Sequence, residues 1–353
     1  MSRRSEPRPD LPQRHWEILK DVIHTYIVSG EPVSSRAVAK LGRLGLSPAS
    51  IRNAMADLEE WGYLAQPHTS AGRVPTAAGY HRYIESMIEG RKLPARERRY
   101  IEGHLTEVGS DADRIVGAAT HLLSELSRQV GIVVTPALGE TVLKSVEFVP
   151  LSGGKVLCVV VSTSGFVDNR VIAAPEPISR HELIRLSNYL TENFAGLTLR
   201  EARDRLLKSM AEESDEMGRL LAETLELASA ALEIEEDREI VVEGTTALLV
   251  RPELADVDRV RRLFETFNDK ARLVQILNQC MEGGGVRVLI GEDSDLTSEL
   301  DFSLVATAYG AGDQVLGSLG IFGPSRMEYA HVIPLVSFLG QALSQRLASQ
   351  FDS

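Results

Sequence analysis

The chain of 353 residues carries 38 Lys+Arg against 50 Asp+Glu, a formal net charge of -12, with 43% hydrophobic and 25% charged residues. That length exceeds one ordinary core and implies two or three units of ~100 to 200 residues, while the composition excludes a disordered or fibrous chain. No apolar run approaches the ~18 residues of a membrane span, and the only cysteines, Cys158 and Cys280, are expected as small core residues rather than a disulfide framework or a zinc site.

Charge is divided unevenly along the chain. Residues 1 to 92 hold 13 Lys+Arg against 10 Asp+Glu, and the remainder 25 against 40. A basic unit therefore precedes an acidic one, so the overall charge does not exclude nucleic acid. Met1 to Asp10 lacks the apolar core of a signal peptide, and a cytoplasmic address is expected.

From Pro12 to Val28, Trp16, Leu19, Ile23, Tyr26 and Ile27 recur at helical spacing and end at Ser29-Gly30, where glycine can take the left-handed cap. Ser34 or Ser35 can cap a short second helix to Leu41, and Gly42 and Gly45 mark a turn. Ser47-Pro48 is a capping hydroxyl followed by proline at the first helical position, predicting a third helix to Trp61-Gly62. Tyr63 to Gln66 and Arg73 to Thr76 then read as paired short strands around a tip from Pro67 to Gly72. A fourth helix follows Thr76, with a basic linker at Gly90 to Pro94.

Residues 95 to 130 read as one or two linking helices. Strands are expected at 132–135, 142–151, 156–162 and 167–174, helices at 180–194 and 199 to about 233, strands at 239–243, 286–290, 303–309 and 314–321, and a closing helix from about 327 to 347. The pattern is α+β with a helical insertion.

Wound at about 100° per residue, the third helix puts Ile51, Met55 and Leu58 on one stripe, widened by Ala54 and Trp61. Ala49, Asn53 and Ala56 then face outward, flanked by Ser50 and Arg52, a set of small and hydrogen-bonding residues suited to base edges. Asp57, Glu59 and Glu60 fall in the second half, where they would repel phosphate. The N-terminal half is therefore the part expected in a major groove. Arg36, and Arg73 with His68, Thr69 and Ser70, are placed to meet phosphate or minor groove.

The stretch LSPASIRNAMADLEEWGYLAQPHTSAGRVPT, Leu46 to Thr76, closely resembles the heat-inducible transcription repressors of the HrcA family. GEPVSSRAVAK from Gly30, ENFAGLTL from Glu192 and IFGPSRMEYAHVI from Ile321 are similar to that family as well. The resemblance implies a winged helix-turn-helix over 1–92, linking helices over 93–130, a discontinuous GAF-like domain over 131–178 and 245–353, and an inserted, mainly helical dimerisation domain over 179–244. It also implies a homodimer on an inverted-repeat operator upstream of chaperone operons, and a GroEL-type chaperonin as partner. Carried over by position, Ser47, Ser50, Arg52 and Asn53 belong to the recognition helix, and His68, Thr69, Ser70, Gly72 and Arg73 to the wing.

Leu207, Met210, Met217, Leu221, Leu225, Ala228 and Leu232 form an apolar stripe that reads either as the buried face of a helix or as a dimer seam. The glycines at 283–285 and at 317, 320 and 323 lack a P-loop lysine and read as turns. The eight histidines form no zincin motif or catalytic set, so neither metal, cofactor nor catalysis is expected. A small-molecule-sensing regulator, with an effector cavity in the GAF-like domain, is the alternative reading.

Overall fold

The computed structural model describes residues 11–69, 71–88, 92–109, 111–136, 138–173, 178–212, 240–246, 285–294, 302–311 and 314–348, with isolated positions at 261, 265, 273, 274, 276, 277 and 297. Helices α1 (Gln13–Ser29), α2 (Ser35–Lys40) and α3 (Pro48–Glu60) precede the short strands β1 (Leu64–Ala65) and β2 (Val74–Pro75), which pair antiparallel. Gly30 closes α1 in the left-handed region at φ 70° and donates its N–H to the Tyr26 carbonyl. Ser34 and Ser47 cap α2 and α3, each hydroxyl oxygen accepting a backbone N–H three residues on. The apolar stripes of α1 and α3 meet through Ile18, Leu19, Val22, Ile51 and Leu58, all buried.

Helix α4 (Ala77–Ile88) leads to α5 (Ala95–Glu107) and α6 (Ala112–Ser127). The linking region is thus two helices, broken where Gly109 takes φ 85° and Asp111 caps the second. Strands β3 (Val130–Val134), β7 (Ile240–Glu243), β8 (Arg287–Ile290), β9 (Phe302–Ala311) and β10 (Gln314–Pro324) form an antiparallel sheet in the order β7-β3-β10-β9-β8. Successive side chains alternate between its faces. Val133, Val305, Leu319 and Ile321 join one core with α6 and the closing helix α9 (Tyr329–Ala348), while Ile132, Leu304 and Phe322 join another with Leu273, Ile276 and Leu277.

Strands β4 (Leu143–Pro150), β5 (Lys155–Ser162) and β6 (Val167–Ala173) make a separate antiparallel sheet, covered on one face by α7 (Arg180–Phe194) and α8 (Leu199–Glu212). This grouping differs from the sequence reading, which put residues 143–173 with the GAF-like segments and 240–243 with the insertion. The physical reason is packing. Val146, Phe148, Val156, Cys158 and Val160 bury against Leu183, Leu186, Leu190 and Leu206 as one core, whereas Val241 pairs with Val133 of β3. Leu207 and Met210 lie on α8, and Met217, Leu221, Leu225, Ala228 and Leu232 lie outside the described residues, as do Ser70 and Cys280.

The N-terminal elements pack directly on the distal ones. One continuous core runs from α1 and α3 through α4, α5 and α6 to α9. His81 of α4 meets Asp293 at 2.8 Å, His331 of α9 meets Glu97 of α5 at 2.8 Å, and the rings of Tyr80 and Tyr329 lie 5.7 Å apart. Arg346 donates to the carbonyls of Leu105, Thr106 and Gly109, satisfying the open C-terminal end of α5.

Candidate nucleic-acid interface

The outward face of α3 carries Ala49, Arg52, Asn53, Ala56 and Glu60, all exposed, while Ile51, Ala54, Met55 and Leu58 are buried. Ala54 faces the core and offers nothing to a ligand. Arg52 and Asn53 have no hydrogen-bond or ion-pair partner among the described residues and stand free to meet one. Ser47 is engaged as the cap: its Oγ accepts from the Ser50 N–H at 3.1 Å and donates to Ser50 Oγ at 3.1 Å. Ser50 is half-buried, and its carbonyl accepts from Arg14 at 3.4 Å. Arg36 is exposed on α2.

The loop between β1 and β2 stands beside this face with its root stapled down. Val33 and Arg73 exchange two backbone hydrogen bonds, 2.9 Å each. Gly72 is required there by close approach, since a Cβ would sit 2.4 Å from the Val33 carbonyl oxygen. Gln66 Nε2 donates to the carbonyls of Thr69 and Ala71 at 3.0 Å each, bracing the loop from inside, and His68 and Thr69 are exposed at its tip. Between α2, α3 and the loop lies a hollow of about 340 Å³ lined by Ser34, Ser35, Arg52, Gln66, Thr69 and Arg73, among others. Four of the expected site residues, Arg52, Thr69, Gly72 and Arg73, therefore converge on one concavity.

The acidic half of α3 is largely tied inward. Asp57 meets His15 at 3.0 Å, and His15 packs on the Trp61 ring with centroids 4.9 Å apart. Glu59 meets the Arg73 guanidinium at 2.8 Å. Arg73 is thus held against α3 rather than projecting from the loop tip, a placement that sequence spacing did not foretell. Gln66, Val33 and Glu59 are the structural supports that sequence reasoning missed. Glu59 was legible as a charge, and Gln66 and Val33 carried no signal of their roles.

Residues 113–333 match the family model described as HrcA protein C terminal domain. A protein of Geobacter sulfurreducens named heat-inducible transcription repressor HrcA is 40% identical over 341 residues, covering 97% of this chain and 99% of that one. Proteins of the same name from Xylella fastidiosa and Xanthomonas campestris pv. campestris are 40% identical over 339 and 340 residues, each covering 96% of this chain and 97% of its own. A crystal structure of a hypothetical protein shares the fold, with a TM-score of 0.69 at 24% identity over 97% of this chain and 100% of that one.

Proposed function

Because this chain belongs to the HrcA family of heat-inducible transcription repressors, we propose that its first 92 residues are a winged helix-turn-helix and that α3 is the helix that reads DNA. The chain is a heat-shock transcriptional repressor. The observation that carries the DNA-reading proposal is the single exposed face bearing Arg52 and Asn53, unpartnered among the described residues and flanked by a braced β1–β2 loop. Side chains of that chemistry recognise guanine and adenine edges in the major groove, while the wing and Arg36 set register through phosphate.

The target is an inverted-repeat operator upstream of chaperone operons, bound by a homodimer in the cytoplasm, with a GroEL-type chaperonin holding the repressor in active form and no catalytic role for any residue. We assign the five-stranded sheet with α6 and α9 to the GAF-like domain, and the β4–β6 sheet with α7 and α8 to the inserted dimerisation domain. The dimer is supported by the face of the smaller sheet turned away from its helices. There Val149, Val167 and Val171 are 43%, 46% and 59% exposed, beside Leu157 and Val161 in register. Two-fold symmetry of the protein then matches two-fold symmetry of the operator.

Titration of a labelled inverted-repeat duplex and a scrambled duplex of equal length, at several salt concentrations, tests the reading. Preference for the inverted repeat is expected; equal affinity for both overturns sequence recognition. A second reading, a small-molecule-sensing regulator, is favoured by one observation. A cavity of about 440 Å³ lies between α1, α4, the segment at Lys92–Pro94 and the start of α9, lined by Ile27, Tyr83, Lys92, Glu328 and Tyr329, among others, at the edge of the GAF-like domain rather than inside it, where an effector was expected. A metabolite that raises the melting midpoint and changes operator affinity supports that reading.

A further inference from the structure

The Glu59–Arg73 pair sits between the recognition helix and the wing, and its geometry is incomplete in a way that a simple structural tie would not be. Glu59 Oε2 takes one terminal nitrogen of the guanidinium at 2.8 Å. Arg73 Nε, buried in the same place, has no acceptor among the described residues. A buried donor left empty is a rare state that an incoming acceptor relieves. Arg73 and Arg52 line the same hollow of about 340 Å³, so a guanidinium released from Glu59 has space to turn toward such an acceptor. Arg52 and Glu59 are seven residues apart on α3, which returns them to nearly the same side of the helix about 10 Å apart along its axis. The hollow and its edge therefore present two guanidinium groups against one carboxylate, an excess of positive charge between α2, α3 and the β1–β2 loop.

From this we infer that Glu59 is an intramolecular competitor for DNA phosphate: it holds Arg73 in place in the free chain and gives it up to a backbone phosphate when duplex binds. The inference rests on the DNA-reading function proposed above and adds a positioning residue to it. Its consequence is thermodynamic. Because Glu59 competes for Arg73, the wild-type chain makes this phosphate contact, and the counterion release that goes with it, only in part. With the carboxylate removed, the same contact releases a full counterion and strengthens binding. Glu59 thereby sets how tightly, and with how much salt dependence, the wing engages DNA.

Anisotropy titration of the full chain with labelled inverted-repeat and scrambled duplexes, from low to moderate salt, tests this. Glu59→Gln keeps the shape of the side chain and an oxygen acceptor for Arg73. It is expected to raise affinity for both duplexes about three- to tenfold and to steepen the plot of log affinity against log salt by about 1 per half-site. Arg73→Ala in the Glu59→Gln background is expected to cancel the gain, which isolates the coupling from a general loss of negative charge. Glu60→Gln, the exposed neighbour, is expected to give a smaller gain with no dependence on Arg73. Unchanged or weaker binding by a Glu59→Gln chain of normal melting temperature, or a gain that survives Arg73→Ala, overturns the inference. If Glu59→Gln lowers the melting temperature, Arg73→Ala in the otherwise wild-type chain decides: a cost in affinity smaller than in the Glu59→Gln background supports competition, and an equal cost refutes it. A wild-type chain that binds neither duplex refutes the DNA-reading proposal itself, an outcome distinct from each of these.

Discussion

Gly72→Ala is the smallest change that separates the β1–β2 loop from the connection between α1 and α2. The added Cβ falls 2.4 Å from the Val33 carbonyl oxygen, 2.5 Å from its carbon and 2.7 Å from the Pro32 carbonyl carbon. All three atoms are backbone, so no side chain can swing aside, and the strand bridge between Val33 and Arg73 must open or strain. Opening it costs two backbone hydrogen bonds at about 1 kcal/mol each, and staying closed costs ~1–3 kcal/mol of overpacking, so the loss is about 2 kcal/mol by either route. That shifts a local opening equilibrium about thirtyfold. Amide hydrogen exchange resolves where the loss falls. The Val33 and Arg73 amides are expected to lose protection about thirtyfold, Leu339 in α9 is expected to keep its own, and operator affinity is expected to fall about tenfold. Undiminished protection at Val33 and Arg73 refutes the claim that close backbone approach at Gly72 fixes the β1–β2 loop.

Other outcomes follow from single side chains. Arg52→Ala is expected to cost about 1–3 kcal/mol on the inverted repeat and less on scrambled duplex; equal losses on both in anisotropy titrations contradict base reading by this residue. Burial pushes the Cys158 thiol up to about 12, against the opposing pull of Arg170. In a Cys280→Ser background, Cys158 is expected to react with a thiol reagent at pH 8 at least roughly a thousandfold more slowly than a free thiol, with fast labelling only on unfolding. Fast labelling of the folded chain contradicts the burial of β5. Burial also raises the Asp21 carboxyl above its ordinary 3.8, with Arg43 pulling it down. The folded pKa then exceeds the unfolded one, so the stability this group supplies is present below the ordinary value and lost as pH rises through the folded value. Asp21→Asn is therefore expected to raise the melting temperature more at pH 7 than at pH 3, and the reverse order refutes the sign.

The legible part of the fold is the part with local chemistry. Ser47-Pro48 marked the start of α3, and Gly30 the end of α1, because capping and left-handed backbone are decided by neighbouring residues. The core stripe of α3, and with it the exposed face, followed from period alone. What was not legible depends on partners far away in the chain. The alternation in β4–β6 announced one buried face, but the identity of its cover, α7 and α8, is set by tertiary packing. The same holds for β7, whose four residues read as a strand at the correct place yet gave no sign of pairing with β3. At the site, Arg73 was readable as a cation on the wing, but its inward turn onto Glu59 arises from the fold of the loop over α3. The junctions of α4 with the turn after β8 and of α5 with α9 were likewise invisible, because His81 meets Asp293, and Glu97 meets His331, only when distant parts of the chain fold together.

The claim on which the rest depends is that α3 and its wing read an inverted repeat with two-fold symmetry. Quantitative footprinting on the promoter of a chaperone operon, with wild type and with the Arg52→Ala, Asn53→Ala double substitution, measures it directly. A symmetric protected region centred on the repeat is expected, abolished by the double substitution while weak, salt-sensitive binding to any duplex persists. A protected region that ignores the repeat, or that survives loss of both side chains, contradicts it.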